Sequence, residues 1–200
     1  MSGKARRKVD RRVVRTRNVL GDALLGLMLE KPFEDIRVED VLDRASVSRS
    51  TFYGHYLGKE DLFAGDIEDF WEWMASSLDR NGDSSTRIAP VRELLTHVAE
   101  ARALRDALAR SGKLREVLET GQAHLSRAIA RRLEARAAPH STVAPVAQAL
   151  AGALLALLTW WMDHDMPETP EQMDMLFHRL FAPAVVGGSH RHGNAAAGHR

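Results

Sequence analysis

The chain has 200 residues, 44% of them apolar, enough for one large domain or two smaller cores; it has no cysteine, which excludes disulfides and thiolate metal sites. Its formal charge is +1, unevenly spread: residues 1–17 hold eight Lys and Arg against Asp10, so the remainder carries a net −6. Residues 1–10 are expected to form a basic disordered arm, either a solubilising tail or an arm that meets a polyanion.

Helical periodicity follows at once. Val13, Leu20, Leu24, Leu27 and Met28 recur at helical spacing, predicting a helix over residues 11–30 that ends at Lys31-Pro32. Gly21 and Gly26 weaken that helix and permit close packing against a neighbour. A short helix over residues 38–45 buries Val41, Leu42 and Ala45, Ser46-Val47-Ser48 makes a turn, and a second short helix covers 49–55 with Ser48 as its cap. Residues 59–78 carry one apolar stripe of Phe63, Ile67, Phe70, Met74 and Leu78. Beyond the polar linker 81–85, further helices are predicted near 89–109, 111–118, 120–137, 143–165 and 170–184. No alternating strand pattern competes, so the fold class is all-α, and residues 186–200 read as a disordered tail.

Several function classes find no support in this pattern. There is no HExxH, Walker A or GxSxG motif, so the chain reads as a non-enzyme needing no cofactor. His190, His192 and His199 lie in the tail without a scaffold or carboxylate partners, so no metal is expected. The basic start leads into charged, amphipathic chain, which argues against a secretory signal and for a cytoplasmic protein. Residues 143–162 are long enough to span a bilayer, but six alanines, Pro145 and Gln148 make a buried helix the better reading, with no membrane partner. The basic arm leaves a membrane-surface or partner-binding module as the alternative to nucleic-acid binding.

The informative stretch is residues 36–63, IRVEDVLDRASVSRSTFYGHYLGKEDLF. A helix, a tight turn and a second short helix are the parts of a helix-turn-helix. Val41, Ala45, Val47, Phe52 and Tyr56 fall where the helices must pack, which leaves Arg49, Ser50, Thr51, Tyr53 and His55 pointing outward. That surface bears a guanidinium, two hydroxyls, a phenol and an imidazole, donors suited to phosphates and base edges in a major groove. Second readings stand beside these: Tyr53 as a core aromatic, His55 as a helix C-cap, Arg49 as solvated in the free protein and, just beyond that surface, Lys59 as a surface charge.

The groups Ala45-Ser46-Val47-Ser48, Thr51-Phe52-Tyr53, His55-Tyr56 and Lys59-Glu60-Asp61-Leu62-Phe63 make residues 10–63 resemble the TetR family of transcriptional regulators. The resemblance implies a helix-turn-helix DNA-binding domain over 11–58 and a helical regulatory and dimerisation domain over 59–185. It implies DNA contacts by Arg49, Ser50 and Thr51, by Tyr53 and His55, and phosphate contacts by Lys59, Arg37 and Ser48. On that basis Tyr53→Ala and Lys59→Ala should weaken operator binding with little loss of fold. Departures from the family pattern are Ser46 where glycine is common, Gly54 where a bulky residue is common, and Arg37 where a capping hydroxyl is usual. Glu39, near the DNA side, either selects against some sequences or faces solvent.

One short recognition helix covers few base pairs, so a homodimer on a palindromic operator is expected, with half-sites about 34–36 Å apart. Leu150, Leu154, Leu157, Leu158, Trp161, Met173, Leu176, Phe177, Leu180 and Phe181 are the interface candidates, shared with the chain's own core. The resemblance also implies a repressor released by a small-molecule effector, and the tryptophans suggest an apolar or aromatic one; a regulator with no such ligand is the other reading. Pocket candidates are Trp71, Met74, Leu94, His97, Val98, Ala101, Leu118, His124, Trp160 and Trp161; the aromatic and Met residues among them also read as core fillers, and His97 and His124 as satisfied, partly buried histidines.

Overall fold

Proline at position 32 stops the first helix where its ring requires, and the short, sharply punctuated elements that follow are the frame for the candidate site. The computed structural model describes residues 2–80, 87–136 and 140–186, with side chains over 12–77, 87–136 and 142–181. Helix α1 (Ser2–Glu30) takes in residues 2–10 as well as the predicted span; Arg and Lys are good helix formers and no proline interrupts them. The histidines of the tail lie outside the described residues.

A single 3-10 turn (Phe33–Asp35) leads to α2 (Val38–Ala45), whose predicted bounds hold. Arg37 brings no side-chain cap, and Asp40 serves instead. The Arg37 N–H donates to Asp40 Oδ2 at 2.8 Å, and Lys31 Nζ donates to the same oxygen at 2.6 Å. The Lys31 bond first, and the Arg37 N–H second, hold the Asp40 carboxyl below the usual carboxylate range. Helix α3 (Arg49–Tyr53) stops two residues short of its predicted end, because Gly54 takes the C-cap. Helix α4 (Lys59–Arg80) follows at its predicted start.

The later helices are α5 (Val91–Glu100), α6 (Arg102–Arg110), α7 (Leu114–Glu134), α8 (His140–Asp163) and α9 (Pro170–Val186). The predicted helix over 89–109 is thus broken at Ala101, and the segments expected over 111–118 and 120–137 form one helix. Helix α7 runs through Gly121, where the Trp71 indole fills the space a side chain would take: a Cβ there would lie 2.3 Å from the ring. Among the described residues there is no strand.

The chain divides into two compact units. The first is Met1–Phe70 with Ala101–Val117, so it extends beyond residue 58 into α4 and recruits α6, which packs on α1. Its core is Leu20, Leu24, Leu27, Phe33, Ile36, Val41, Phe52, Leu62 and Phe63, all buried. Burying each of those larger apolar side chains is worth about 1.5–3 kcal/mol. The second unit is Trp71–Glu100 with Leu118–Arg200, in which α5 packs on α9. Its core includes Leu94, Leu95, Leu125, Ile129, Leu154, Met173 and Phe177.

A charged network also ties the second unit together. Arg87 donates to both carboxylate oxygens of Glu93, at 2.7 and 2.6 Å, and to Asp174 on α9 at 2.8 Å. His178 Nε2 accepts the Ile88 N–H at 3.1 Å, which requires that nitrogen to be unprotonated. Burial lowers the His178 pKa and favours that state.

Candidate nucleic-acid interface

The turn between α2 and α3 sets the direction of α3. Ser46 adopts the left-handed conformation, φ 52 and ψ 43, where glycine is the common residue; holding serine there costs about 1–2 kcal/mol. The Ser46 N–H donates to Asp43 O at 3.3 Å and the Val47 N–H to Leu42 O at 3.1 Å, which closes the end of α2. Ser48 then caps α3, its Oγ accepting the Thr51 N–H at 3.2 Å. The same hydroxyl shares hydrogen bonds with Thr51 Oγ1 at 2.8 Å and Ser50 Oγ at 3.1 Å.

Phe52 and Tyr56 pin α3 from beneath. Both are buried, with ring centroids 5.8 Å apart. With those anchors inward, Arg49, Ser50, Thr51 and Tyr53 are exposed, and His55 is half-buried beside Tyr56. Tyr53 is 49% exposed with its ring edge-on to Phe52, so it is a surface aromatic and not a core one. The predicted contact residues from 48 to 55 are therefore brought onto one accessible face, with Arg37 exposed at the start of α2.

Lys59 is placed otherwise than the resemblance implies. Its ammonium donates to Phe33 O at 2.7 Å, Glu34 O at 3.0 Å and Ile36 O at 2.7 Å. Three protons meet three carbonyls, so the amine has no donor left for a phosphate. The ammonium also lies 4.7 Å from the Phe33 ring centroid, and Lys113 Nζ lies 4.6 Å from it. Lys59 holds the 33–36 turn to the start of α4, and the expectation that Lys59→Ala would spare the fold is corrected on that ground.

The electrostatics of the motif are not those of a basic patch. Residues 36–63 hold four Lys and Arg against five Asp and Glu. Arg49 is paired with Glu39, Arg44 with Glu30 at 2.5 Å and Lys31 with Asp40. The excess cations of the chain lie in residues 1–17, so long-range attraction of a polyanion would be concentrated on α1.

Beneath this face, α1 and α4 meet through a charged joint that sequence reasoning missed. Arg17 Nε donates to Tyr56 Oη at 3.2 Å, and its Nη2 lies 3.1 Å from Asp69. Burial raises the Tyr56 pKa, partly offset by the Arg17 bond. Asp66 faces Gly21 so closely that a Cβ on that glycine would lie 2.5 Å from Asp66 Oδ2. That oxygen is buried without a hydrogen-bond partner, and burial, with Asp69 adding repulsion, pushes the carboxyl up to about 7. Gly21 signalled a close approach in the sequence, but not which residue approaches.

In the second unit the candidate pocket residues separate. Trp71, Met74, Leu94 and Trp161 are buried core; the Trp161 indole N–H donates to Glu168 O at 2.9 Å. Trp160 is 43% exposed and stacked on His164 at 4.6 Å, so it lines no interior. His97, Val98, Leu118 and His124 are half-buried, His97 lying 6.0 Å from Trp73 and having its pKa lowered by burial. Ala101 belongs to the first unit. Of the interface candidates, Leu150, Leu154, Leu158, Trp161, Met173 and Phe177 are buried in the chain's own core. Leu157, Leu176 and Phe181 are half-buried, and Leu180 is exposed, as are Ala149, Ala156 and Met175, which the apolar pattern alone did not single out.

Residues 21–65 match the family model described as bacterial regulatory proteins, tetR family, a span that includes α2, the left-handed turn, α3 and the start of α4. Across those residues the chain carries the TetR-family sequence pattern. The chain is 42% identical over 57 residues to an uncharacterized HTH-type transcriptional regulator, YxbF, of Bacillus subtilis; the match takes in 28% of this chain and 15% of that protein. The TetR-family fold extends further. A putative TetR-family regulator from Syntrophomonas wolfei aligns with a TM-score of 0.62 at 20% identity, covering 89% of this chain and 98% of that one. A TetR regulator from Streptococcus agalactiae aligns with a TM-score of 0.60 at 23% identity, covering 86% and 96%. The TetR-like sequence signal thus lies in the first unit, whereas the second is recognisable by its helical fold.

Proposed function

We propose that the chain is a transcriptional regulator that binds operator DNA as a homodimer, reading sequence with α3. The observation that carries this reading is the outward face of α3: Arg49, Ser50, Thr51 and Tyr53 exposed together above the buried pair Phe52 and Tyr56. A guanidinium and hydroxyls on a rigid helix supply the donors that base edges and phosphates accept. Selection from a random duplex pool is the test. A palindrome with half-sites about 34–36 Å apart should be enriched and should survive competitor DNA; failure to enrich any site rejects the reading.

Dimerisation is supported by apolar surface on the last two helices. Helix α8 is long and apolar enough to cross a membrane by composition, yet Val143, Ala147, Leu150, Ala151, Leu154, Leu158 and Trp161 are buried. Its outer side carries Ala149, Ala156 and Trp160, and α9 adds Met175 and Leu180. Small residues flanked by larger ones allow helices of two copies to approach closely. Ala156→Glu should yield monomers in sedimentation while the helical content stays, and a dimer that persists would place the interface elsewhere.

The finer reading is a repressor released by an apolar or aromatic small molecule in the second unit. The half-buried His97 beside Trp73, and the half-buried Val98, Leu118 and His124, support it. Trp71 seated on Gly121 favours the rival reading, a regulator without such a ligand, because it closes the space beside α7. A thermal-shift screen of apolar compounds, followed by release of labelled operator, decides between them. Placing the selected site ahead of a reporter then tells repression from activation.

A further inference from the structure

The carboxylate of Glu39 sits where an acidic group looks out of place on a DNA-facing surface. It lies in the first turn of α2 beside Asp40, but the two have different work. Asp40 is turned back to the Arg37 N–H and to Lys31, at 2.8 and 2.6 Å. Glu39 reaches forward and accepts from Arg49 Nη2, at the first position of α3. Both side chains remain more than half exposed, 62% for Arg49 and 55% for Glu39, so the pair is open on its outer side.

We infer that Glu39 is a positioning residue for operator recognition: it holds the Arg49 guanidinium so that its remaining N–H donors face a base edge. This rests on the DNA-binding reading above. An arginine side chain samples many rotamers, and a planar fork fixed in advance loses less freedom when it engages a base. The guanidinium has five donors, and the bond to Glu39 uses one Nη2 proton, which leaves the second Nη2 proton to form, with the N–H beside it, a two-point contact of the kind that guanine O6 and N7 accept. The backbone supports the arrangement. The left-handed turn at Ser46 and the Ser48 cap set the angle between α2 and α3, and so bring residue 39 to residue 49. The carboxylate has a second effect, because it repels phosphates and offsets the guanidinium that would otherwise grip any duplex. Tethering Arg49 and repelling backbone act in the same direction, toward selectivity.

The test runs site selection on the full chain in wild-type, Arg49→Ala, Glu39→Ala and Glu39→Gln forms. Affinities are then measured by anisotropy for the wild-type site and a scrambled duplex. Arg49→Ala identifies the base pair that Arg49 reads, as the position in each half-site whose preference relaxes. Glu39→Ala is expected to relax that same position alone and to lower the ratio of selected-site to scrambled affinity by about three- to tenfold. Glu39→Gln keeps an acceptor at the same reach without the charge. It should restore the base preference while binding scrambled duplex more tightly than wild type does. In an Arg49→Ala background, Glu39→Ala should no longer alter base preference. Thermal midpoints should stay unchanged, since an exposed ion pair adds little to stability. The inference is overturned if Glu39→Ala leaves the base preference intact, if it tightens both duplexes equally, if its effect persists without Arg49, or if Gln serves no better than Ala. Should wild type enrich no site, the DNA-binding reading itself fails; a wild type that enriches a site which Glu39→Ala reads equally well removes only the role given to Glu39.

Discussion

The face of α3 and the root of α4 are built from the same kinds of side chain, cations and carboxylates beside aromatic rings, and they put them to opposite uses. On α3 the guanidinium of Arg49 is met by one exposed carboxylate, and the neighbouring hydroxyls and phenol are open to solvent. At α4 the Lys59 ammonium is enclosed by three carbonyls, and the Asp66 carboxyl is pressed against Gly21 with one oxygen unpartnered. A charged residue in a recognition motif can act on a ligand only with protons that the chain has not already engaged. The α3 face is thus chemically available and energetically cheap to alter, whereas the charges at the α4 root are tied into the fold, so that altering them changes stability in one direction or the other.

The sharpest way to break that comparison is at Lys59. Lys59→Ala leaves three carbonyls without their charged donor and should lower stability by about 3 kcal/mol. Urea unfolding read by circular dichroism measures it, and an unchanged midpoint would mean that the ammonium faces outward after all. Asp66 gives an effect of opposite sign. Unfolded, its carboxyl titrates near 3.8; folded, near 7. Between those values the folded state holds the extra proton, so this contribution to stability is fully present below about pH 3.8 and is lost as pH rises through about 7. Asp66→Asn cannot ionise. It should be more stable than wild type by about 2 kcal/mol at pH 8, less than the full shift because the site is not wholly shielded from water. The two proteins should converge near pH 4; a gap constant between pH 4 and pH 8 would show that Asp66 is not the titrating group.

These two residues also mark where the sequence stopped being legible. The bounds of α2, the turn at Ser46, the cap at Ser48 and the inward placing of Phe52 and Tyr56 follow from local rules: periodicity, cap chemistry and residue volume. The outward set on α3 follows from the same rules by subtraction. Lys59 and Asp66 were not legible, because their partners lie far off in the chain, in the 33–36 turn and in α1, and no local rule names them. The split of the predicted 89–109 helix at Ala101 is similar: α6 packs on α1, a tertiary preference that helical periodicity does not encode.

Tyr53 tests the available side of the comparison. Its ring is half exposed and its contact with Phe52 is edgewise, so Tyr53→Ala should alter stability by about 0.5 kcal/mol or less. Selected-site affinity should fall about tenfold, the size of one good contact. Equal losses in fold and binding would put Tyr53 with Lys59 as a frame residue.

Ser48 lies on the boundary between the two behaviours, and a pair of substitutions there separates them. Its hydroxyl caps α3 through the Thr51 N–H and is also exposed beside Ser50 and Thr51. Ser48→Ala removes the cap and should cost about 1 kcal/mol of stability. Ser48→Asp supplies an equally good cap, and its negative charge suits the positive end of a helix, so the fold should be retained. That same charge would face phosphate, and selected-site binding should be lost. If the serine acted only as a cap, remote from any duplex, the aspartate variant would bind as well as wild type, and the accessible face of α3 would have to begin at Arg49. Loss of binding with an unchanged unfolding midpoint would instead show that one hydroxyl both ends the turn and stands at the edge of the DNA surface.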